Sequence, residues 1–197
     1  MRSWSSWERQ RPPAHVARRS DAEKAEWTAG TIGRVSRPDL SAPPDLRPLE
    51  CGEVFENPVT RERAVIVELP WQNRDGRAVA EMTALPGARV VGEHMHPALE
   101  SFSVLEGELT VVRDGHRSTL HAGESAQIEP GVWHDWFNKA DVDAVVRVEV
   151  TPGERFAHMI ETLFGLAREG HVNRKGMPNS LQLALTAQEF FRRHRLP

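Results

Sequence analysis

Short apolar and β-branched segments follow one another from Gly52 to Val150, with turn residues between them. The turns recur about every 8 to 12 residues, which is typical of antiparallel β proteins. The predicted strands are residues 52–57, 63–69, 78–84, 88–95, 101–106, 108–113, 117–121, 125–129, 133–138 and 144–150. This pattern predicts a mainly β protein, folded as a barrel or a sandwich with one dry interior.

Two local patterns support this prediction. Asp114-Gly115 separates two β-type segments and predicts a two-residue hairpin turn, because glycine tolerates the positive φ that such a turn requires. The run Val146–Val150 alternates valine with charged residues. Since successive side chains of a strand point to opposite faces, one face of this strand is expected to be buried and the other to face water.

After Thr151 the apolar residues follow a helical period. Thr151 and Glu154 resemble a capping box, which predicts that a first helix begins at Pro152. Its expected apolar stripe comprises Phe156, Met159, Ile160, Leu163, Phe164 and Ala167. A second helix is expected to begin after Asn179 or Ser180. Its expected apolar face comprises Leu183, Ala184, Ala187, Phe190 and Phe191.

The chain therefore divides into three predicted regions. Residues 1–50 are rich in proline and charge and show neither a helical nor a strand period, which predicts an extended arm. Residues 51–151 are expected to form the β-barrel. Residues 152–197 are expected to form a C-terminal helical extension, whose apolar faces need a partner surface on the barrel or on a second subunit.

Charge and composition exclude several classes of function. Acidic residues concentrate in the predicted barrel, and basic residues at the two ends of the chain, so a folded nucleic-acid-binding surface is not expected. No stretch approaches the roughly 20 uncharged apolar residues of a membrane helix, and the first residues lack the apolar centre of a secretory signal. A single cysteine, Cys51, excludes an internal disulfide and a multi-cysteine zinc site. We therefore expect a cytoplasmic protein with no nucleic-acid or membrane partner.

Three histidines and a glutamate are the candidate functional residues. His94 and His96 lie two apart on a predicted strand, so both imidazoles are expected on one face, and Glu100 follows across a turn. His134 follows the turn Pro130-Gly131. A lone His-x-His is more often a surface pair, but three imidazoles with one carboxylate suit a divalent first-row metal and leave positions for water, dioxygen or substrate.

These residues resemble the two sequence motifs of the cupin family. The first motif is matched by His94, His96, Glu100 and Gly107, and the second by Gly123, Pro130, Gly131, His134 and Asn138. There are two departures: Gly87 lies one residue too far from His94, and Glu129 stands where the family often has proline. The short spacer between the motifs is similar to that of small single-domain bacterial cupins.

The resemblance implies an antiparallel jelly-roll barrel over roughly residues 52–150. It also implies that His94, His96, Glu100 and His134 bind one metal ion inside the barrel, and that the protein is a homodimer. The ion itself is left open among Fe(II), Mn, Ni, Cu and Zn. Because the cupin fold supports many reactions, the resemblance predicts the site and not the substrate.

Three functions remain open on the sequence. The first is a metal-dependent, dioxygenase-like oxidoreductase that acts on a small organic substrate, with Glu100 as the catalytic proton acceptor. The second is a non-redox isomerase, cyclase or lyase that uses the metal as a Lewis acid. The third is a small-molecule sensor without turnover. The expected pocket residues, for which plain core packing is the alternative, are Met82, Phe102, Val104, Leu109, Val111 and Trp136.

Overall fold

The computed structural model of the protein describes residues 46–90 and 92–190. Most of the predicted arm, residues 1–50, lies outside the described residues, as does Phe191 of the second predicted helix. At the end of the predicted arm, Leu49 is buried against the second of the two apolar clusters described below.

Antiparallel strands and two helices make up the described part of the chain. In chain order they are β1 (Val54–Asn57), β2 (Glu62–Glu68), β3 (Ala78–Ala84), β4 (Leu99–Glu106), β5 (Glu108–Arg113), β6 (His116–His121), β7 (Ser125–Ile128), β8 (His134–Phe137), β9 (Ala144–Thr151), α1 (Phe156–Arg168) and α2 (Ser180–Phe190). One sheet has the order β1-β2-β3-β9-β4-β7, and a smaller sheet has the order β6-β5-β8. The prediction of a mainly antiparallel β-barrel followed by two helices is confirmed.

The predicted hairpin and the alternation of the last strand are both confirmed. Asp114 (φ 46°) and Gly115 (φ 77°) form the two-residue turn, and β5 and β6 pair on either side of it. On β9 the valines at 146, 148 and 150 are buried, whereas the residues between them are half-buried. The fold therefore has one dry interior between its two sheets.

The predicted strand at 88–95 is wrong. The described residues of this segment, 88–90 and 92–95, contribute two isolated bridges to β8, from Arg89 to Phe137 and from His94 to His134, and no strand. Gly92 has a φ of 119°, and the chain bends at Gly92 and Glu93. A strand requires a negative φ at every position, so the extended path is interrupted between the two bridges.

Two apolar clusters stabilise the described part of the chain. The first fills the barrel interior and includes Phe102, Val111, Ile128 and Trp136. The second lies beneath α1 and comprises Leu49, Ala64, Ile66, Leu69, Ala80, Ala157, Ile160 and Phe164. Each large apolar side chain that is fully buried contributes about 1.5–3 kcal/mol, so α1 is held mainly by this packing.

The predicted start of α1 is also wrong. Thr151 is the last residue of β9 and pairs with Leu99, so it is not a helix cap, and the helix begins at Phe156. In α2, the side-chain oxygen of Asn179 accepts a hydrogen bond from the amide of Gln182 (2.9 Å) and caps the first turn. The α2 residues Leu183 and Ala184 are exposed, so the predicted apolar face is not covered at these two positions.

Gly107 occupies a position that no other residue fits. Its φ is +74°, and an added Cβ would lie 2.4 Å from the carbonyl oxygen of Asp143. We expect Gly107→Ala to lower the free energy of unfolding by at least about 3 kcal/mol, because positive-φ strain and a backbone clash add together. Urea denaturation measures this loss.

Gly115→Ala is the matched control for this prediction. Gly115 has a similar φ of +77°, but an added Cβ would meet no atom within 4 Å. This variant should lose only about 1–2 kcal/mol from the strain. Equal losses in the two variants would contradict the role assigned to the Asp143 contact.

Candidate metal centre

The four predicted ligands come from three parts of the fold. His94 and His96 lie in the loop between β3 and β4, Glu100 is the second residue of β4, and His134 is the first residue of β8. The backbones of His94 and His134 exchange two hydrogen bonds (2.9 and 2.8 Å), and the amide of Gly131 donates to the carbonyl of His96 (2.9 Å). Backbone pairing thus replaces the missing strand and brings the loop against β8.

The side chains of the four predicted ligands converge in the structure. One ligand atom from each residue lies within 4.8 Å of the others. Glu100 Oε2 is 3.1 Å from His96 Nε2 and 3.0 Å from His134 Nε2. The rings of His94 and His134 have centroids 4.2 Å apart. The convergence of these four side chains was the central prediction from the sequence, and the arrangement is compatible with a single metal ion.

Each imidazole is oriented by a backbone carbonyl oxygen near its Nδ1. The contacts are His94 to Gly92 (3.0 Å), His96 to Ala98 (3.0 Å) and His134 to Val132 (2.9 Å). A carbonyl oxygen can only accept, so each Nδ1 carries the hydrogen and donates. The neutral rings therefore direct three Nε2 lone pairs at the centre, which is the arrangement that metal-binding histidines require.

This donor set needs a positive charge at its centre. Three lone pairs and a carboxylate are all acceptors, and they repel one another unless a cation or a proton lies between them. His134 Nε2 is buried and makes no hydrogen bond in its present orientation. Imidazole nitrogens and a carboxylate oxygen match the preferences of divalent first-row metals, so the residues present fit the metal that the sequence predicts.

The electrostatics of the site favour the metal-binding forms of Glu100 and His94 but raise the pKa of His134. Burial raises the pKa of Glu100, but contacts with His134 and His96 lower it by more than this, to about 2. The carboxylate is therefore ionised. Burial and the neighbouring His134 lower the pKa of His94, which keeps that ring neutral. For His134, burial lowers the pKa and the Glu100 carboxylate raises it, with a net rise. His134 therefore holds a proton most readily where a cation would otherwise lie.

His94 is the most exposed of the four converging side chains. The side chains of His134 (1% exposed), His96 (8%) and Glu100 (9%) are buried, whereas His94 is half-buried.

The structure places all six predicted pocket residues in the apolar cluster that fills the barrel interior. They are Met82, Phe102, Val104, Leu109, Val111 and Trp136, and each is buried. Phe102 follows Glu100 on the inward face of β4, and Trp136 follows His134 on the inward face of β8. These two side chains lie beside the ligands, within the packed interior.

Asn138, in the second sequence motif, has a structural role. Its side chain donates to the carbonyls of Ala84 (2.9 Å) and Val142 (2.8 Å) and accepts from the amide of Ala140 (2.9 Å). We expect Asn138→Ala to lower the free energy of unfolding by about 2–4 kcal/mol, because three backbone groups lose their partners. Thermal denaturation measures the loss, and a bound-metal content that falls with stability unchanged would contradict this role.

Comparison with known proteins agrees with the geometry. Residues 80–156, which contain all four converging side chains, match the cupin domain family. This part of the chain is therefore a cupin domain. No curated protein matches the chain at a significant level. Among the described residues of this cupin, no helix is both long and apolar enough to cross a membrane.

The chain is similar to several solved structures over part of its length. A Cupin 2 conserved barrel domain protein from Salinispora arenicola is 25% identical, with a TM-score of 0.43, over 58% of this chain and 96% of that chain. An RmlC-like cupin from Shewanella frigidimarina is 21% identical (TM-score 0.44; 51% and 84% covered). A predicted oxalate decarboxylase from Thermotoga maritima is also 21% identical (TM-score 0.43; 46% and 79% covered).

Proposed function

We propose that this cupin binds one divalent transition metal ion through His94, His96, Glu100 and His134, and that it is an oxygenase-type enzyme acting on a small organic substrate. The observation that carries the proposal is the convergence of three Nε2 lone pairs and one carboxylate within 4.8 Å. Fe(II), Mn, Ni, Cu and Zn all accept such donors. When bound, the metal would supply Lewis acidity and open coordination positions for substrate and dioxygen.

The protein's own residues would orient and protect this chemistry. The carbonyl partners of the three Nδ1 groups keep the Nε2 atoms directed inward, so little rearrangement is needed when the metal enters. The apolar interior excludes water on the side of Glu100 and His134. Glu100 is ionised and buried, and it can accept a proton from a substrate hydroxyl or enol that lies beside it.

Two measurements test the proposal in sequence. Elemental analysis of the full chain, purified without added metal and then titrated with each of the five ions, should give close to one equivalent of at least one ion. A protein that binds none of them would overturn the proposal. Oxygen consumption by the metal-loaded protein with candidate enols and catechols then distinguishes oxygenase chemistry from Lewis-acid catalysis, and ligand binding without turnover would identify a sensor.

The proposal extends to a cytoplasmic homodimer whose partner is a small molecule and not nucleic acid or membrane. Two exposed leucines of α2 support self-association, since Leu181 and Leu185 lie one helical turn apart and are both accessible in the single chain. Analytical ultracentrifugation should give the mass of two chains. A monomer at micromolar concentration would contradict the dimer and leave the metal site unaffected.

A further inference from the structure

The wall of the barrel beside the metal centre is apolar. Phe102 is the next inward-facing residue after Glu100 on β4, and Trp136 is the next after His134 on β8. Ile128 on β7 lies directly opposite Glu100. Residues that pair directly across antiparallel strands share one face, so hydrocarbon and indole groups surround the two most deeply placed ligands.

In the part of the chain that the structure describes, the other buried polar side chains lie away from this wall. Thr110 is on the opposite face of β5 from the inward-facing Val111. Glu62 pairs with Ala84 at one end of β3, whereas Glu100 lies level with the other end of that strand. Asn138 uses its side chain on three backbone groups. Of the remaining three, Asn57 and Thr60 lie beside Glu62, and His158 on α1 contacts the carbonyl of Arg47. None of these buried polar side chains can neutralise a charge that enters beside the metal.

One cationic side chain lies at the solvent-exposed edge of the inward face that carries His134. Arg113 is directly opposite His134 on β5, but it is exposed, and its Nη1 donates to the carbonyl of Gln127 on β7 (3.0 Å). This hydrogen bond holds the guanidinium across the gap between β5 and β7. A charged group of a ligand could meet Arg113 only at the rim and not along the inner wall.

From this arrangement we infer that the metal centre selects small organic ligands with one metal-binding head, such as a carboxylate, an enolate or a hydroxamate, on an uncharged body. The inference rests on the proposed function, because the head must bind the metal. A second charge would be buried against apolar side chains without a partner, which is strongly unfavourable. The close packing of Phe102, Ile128 and Trp136 limits the body to a small group.

A matched pair of hydroxamates tests the selectivity. Benzohydroxamate and 4-carboxybenzohydroxamate have the same metal-binding head and ring, and only the second has a distal carboxylate. The full chain is loaded with Co(II), its cobalt content is measured, and each probe is titrated against the visible cobalt bands. We expect benzohydroxamate to bind at least 10-fold more tightly, and Arg113→Ala to leave that ratio unchanged.

The outcomes separate the two proposals. Equal binding, tighter binding of the carboxylated probe, or a preference that depends on Arg113 would overturn the selectivity and would identify the rim as an anion site. Failure of both probes to bind the cobalt-loaded protein would also overturn the selectivity, with the metal site intact. Absence of bound cobalt, with Fe(II), Mn, Ni, Cu and Zn also rejected, would overturn the proposed function itself.

Discussion

Replacing His96 with alanine is expected to lower the affinity for metal by about 10- to 100-fold or more, because the three remaining ligands leave the coordination shell incomplete. The buried side chain of His96 lies 3.1 Å from Glu100 Oε2 and is oriented by Ala98. Its loss removes one of the three Nε2 donors. Metal titration followed by elemental analysis measures the change.

His116→Ala is the control for this experiment. His116 is exposed at the start of β6, beside the hairpin turn, and is not part of the converging group. This variant should bind as much metal as the original chain. If the two variants lose the same amount of metal, or if His96→Ala retains full affinity, the assignment of the ligands is wrong.

Glu62→Gln is expected to stabilise the protein at neutral and alkaline pH. Glu62 is buried (8% exposed), and burial raises its pKa to about 7, against a smaller lowering by a hydrogen bond with Thr60. The ordinary value is 4.5, so between about pH 4.5 and 7 the folded chain keeps a proton that the unfolded chain releases. Stability therefore falls as the pH rises through this window.

The size of this effect follows from the two pKa values. The difference between about 7 and 4.5, at about 1.4 kcal/mol per pH unit, gives a penalty of roughly 3–4 kcal/mol above pH 7. Glutamine has no charge to bury, so Glu62→Gln should gain up to that amount at pH 8 and change little at pH 4. Urea denaturation across this pH range measures the difference.

Glu81→Gln provides the matched control, since Glu81 is an exposed residue of β3. It should change the free energy of unfolding by no more than about 0.5 kcal/mol at either pH. If the stability gained by Glu62→Gln over the original chain is no larger at pH 8 than at pH 4, the raised pKa of a buried Glu62 carboxyl is contradicted. The metal content of this variant should be unchanged, because Glu62 lies at the far end of the sheet from Glu100.

The elements that the sequence predicted correctly are those whose signal is local. The alternation of Val146–Val150 and the Asp114-Gly115 turn each depend on neighbouring residues. Two different causes account for the cases that were wrong. Thr151 has the features of a helix cap, but its pairing with Leu99 extends β9 through it. The strand predicted at 88–95 is interrupted at Gly92, where the chain takes a positive φ.

Other features of the site depend on contacts that no residue pattern contains. The carbonyl groups that accept from the three imidazoles belong to Gly92, Ala98 and Val132, and any residue type could supply them. Glu62 resembles an exposed residue at the start of a strand, and only its register opposite Ala84 places it on the inward face. The sequence motifs thus predicted which side chains meet. Backbone carbonyls determine the orientation of the three imidazoles, and strand register determines the burial of Glu62.

Glu100 belongs to the larger sheet, His134 to the smaller sheet, and His94 and His96 to the loop that joins β3 to β4. A cation held by all four would cross-link the two layers of the barrel at a single point. Binding to the folded chain alone stabilises it by RT ln(1 + [metal]/Kd), about 2.7 kcal/mol at a hundredfold excess over Kd. Metal-starved cells would then clear the protein faster by proteolysis, and its abundance would follow the supply of the ion.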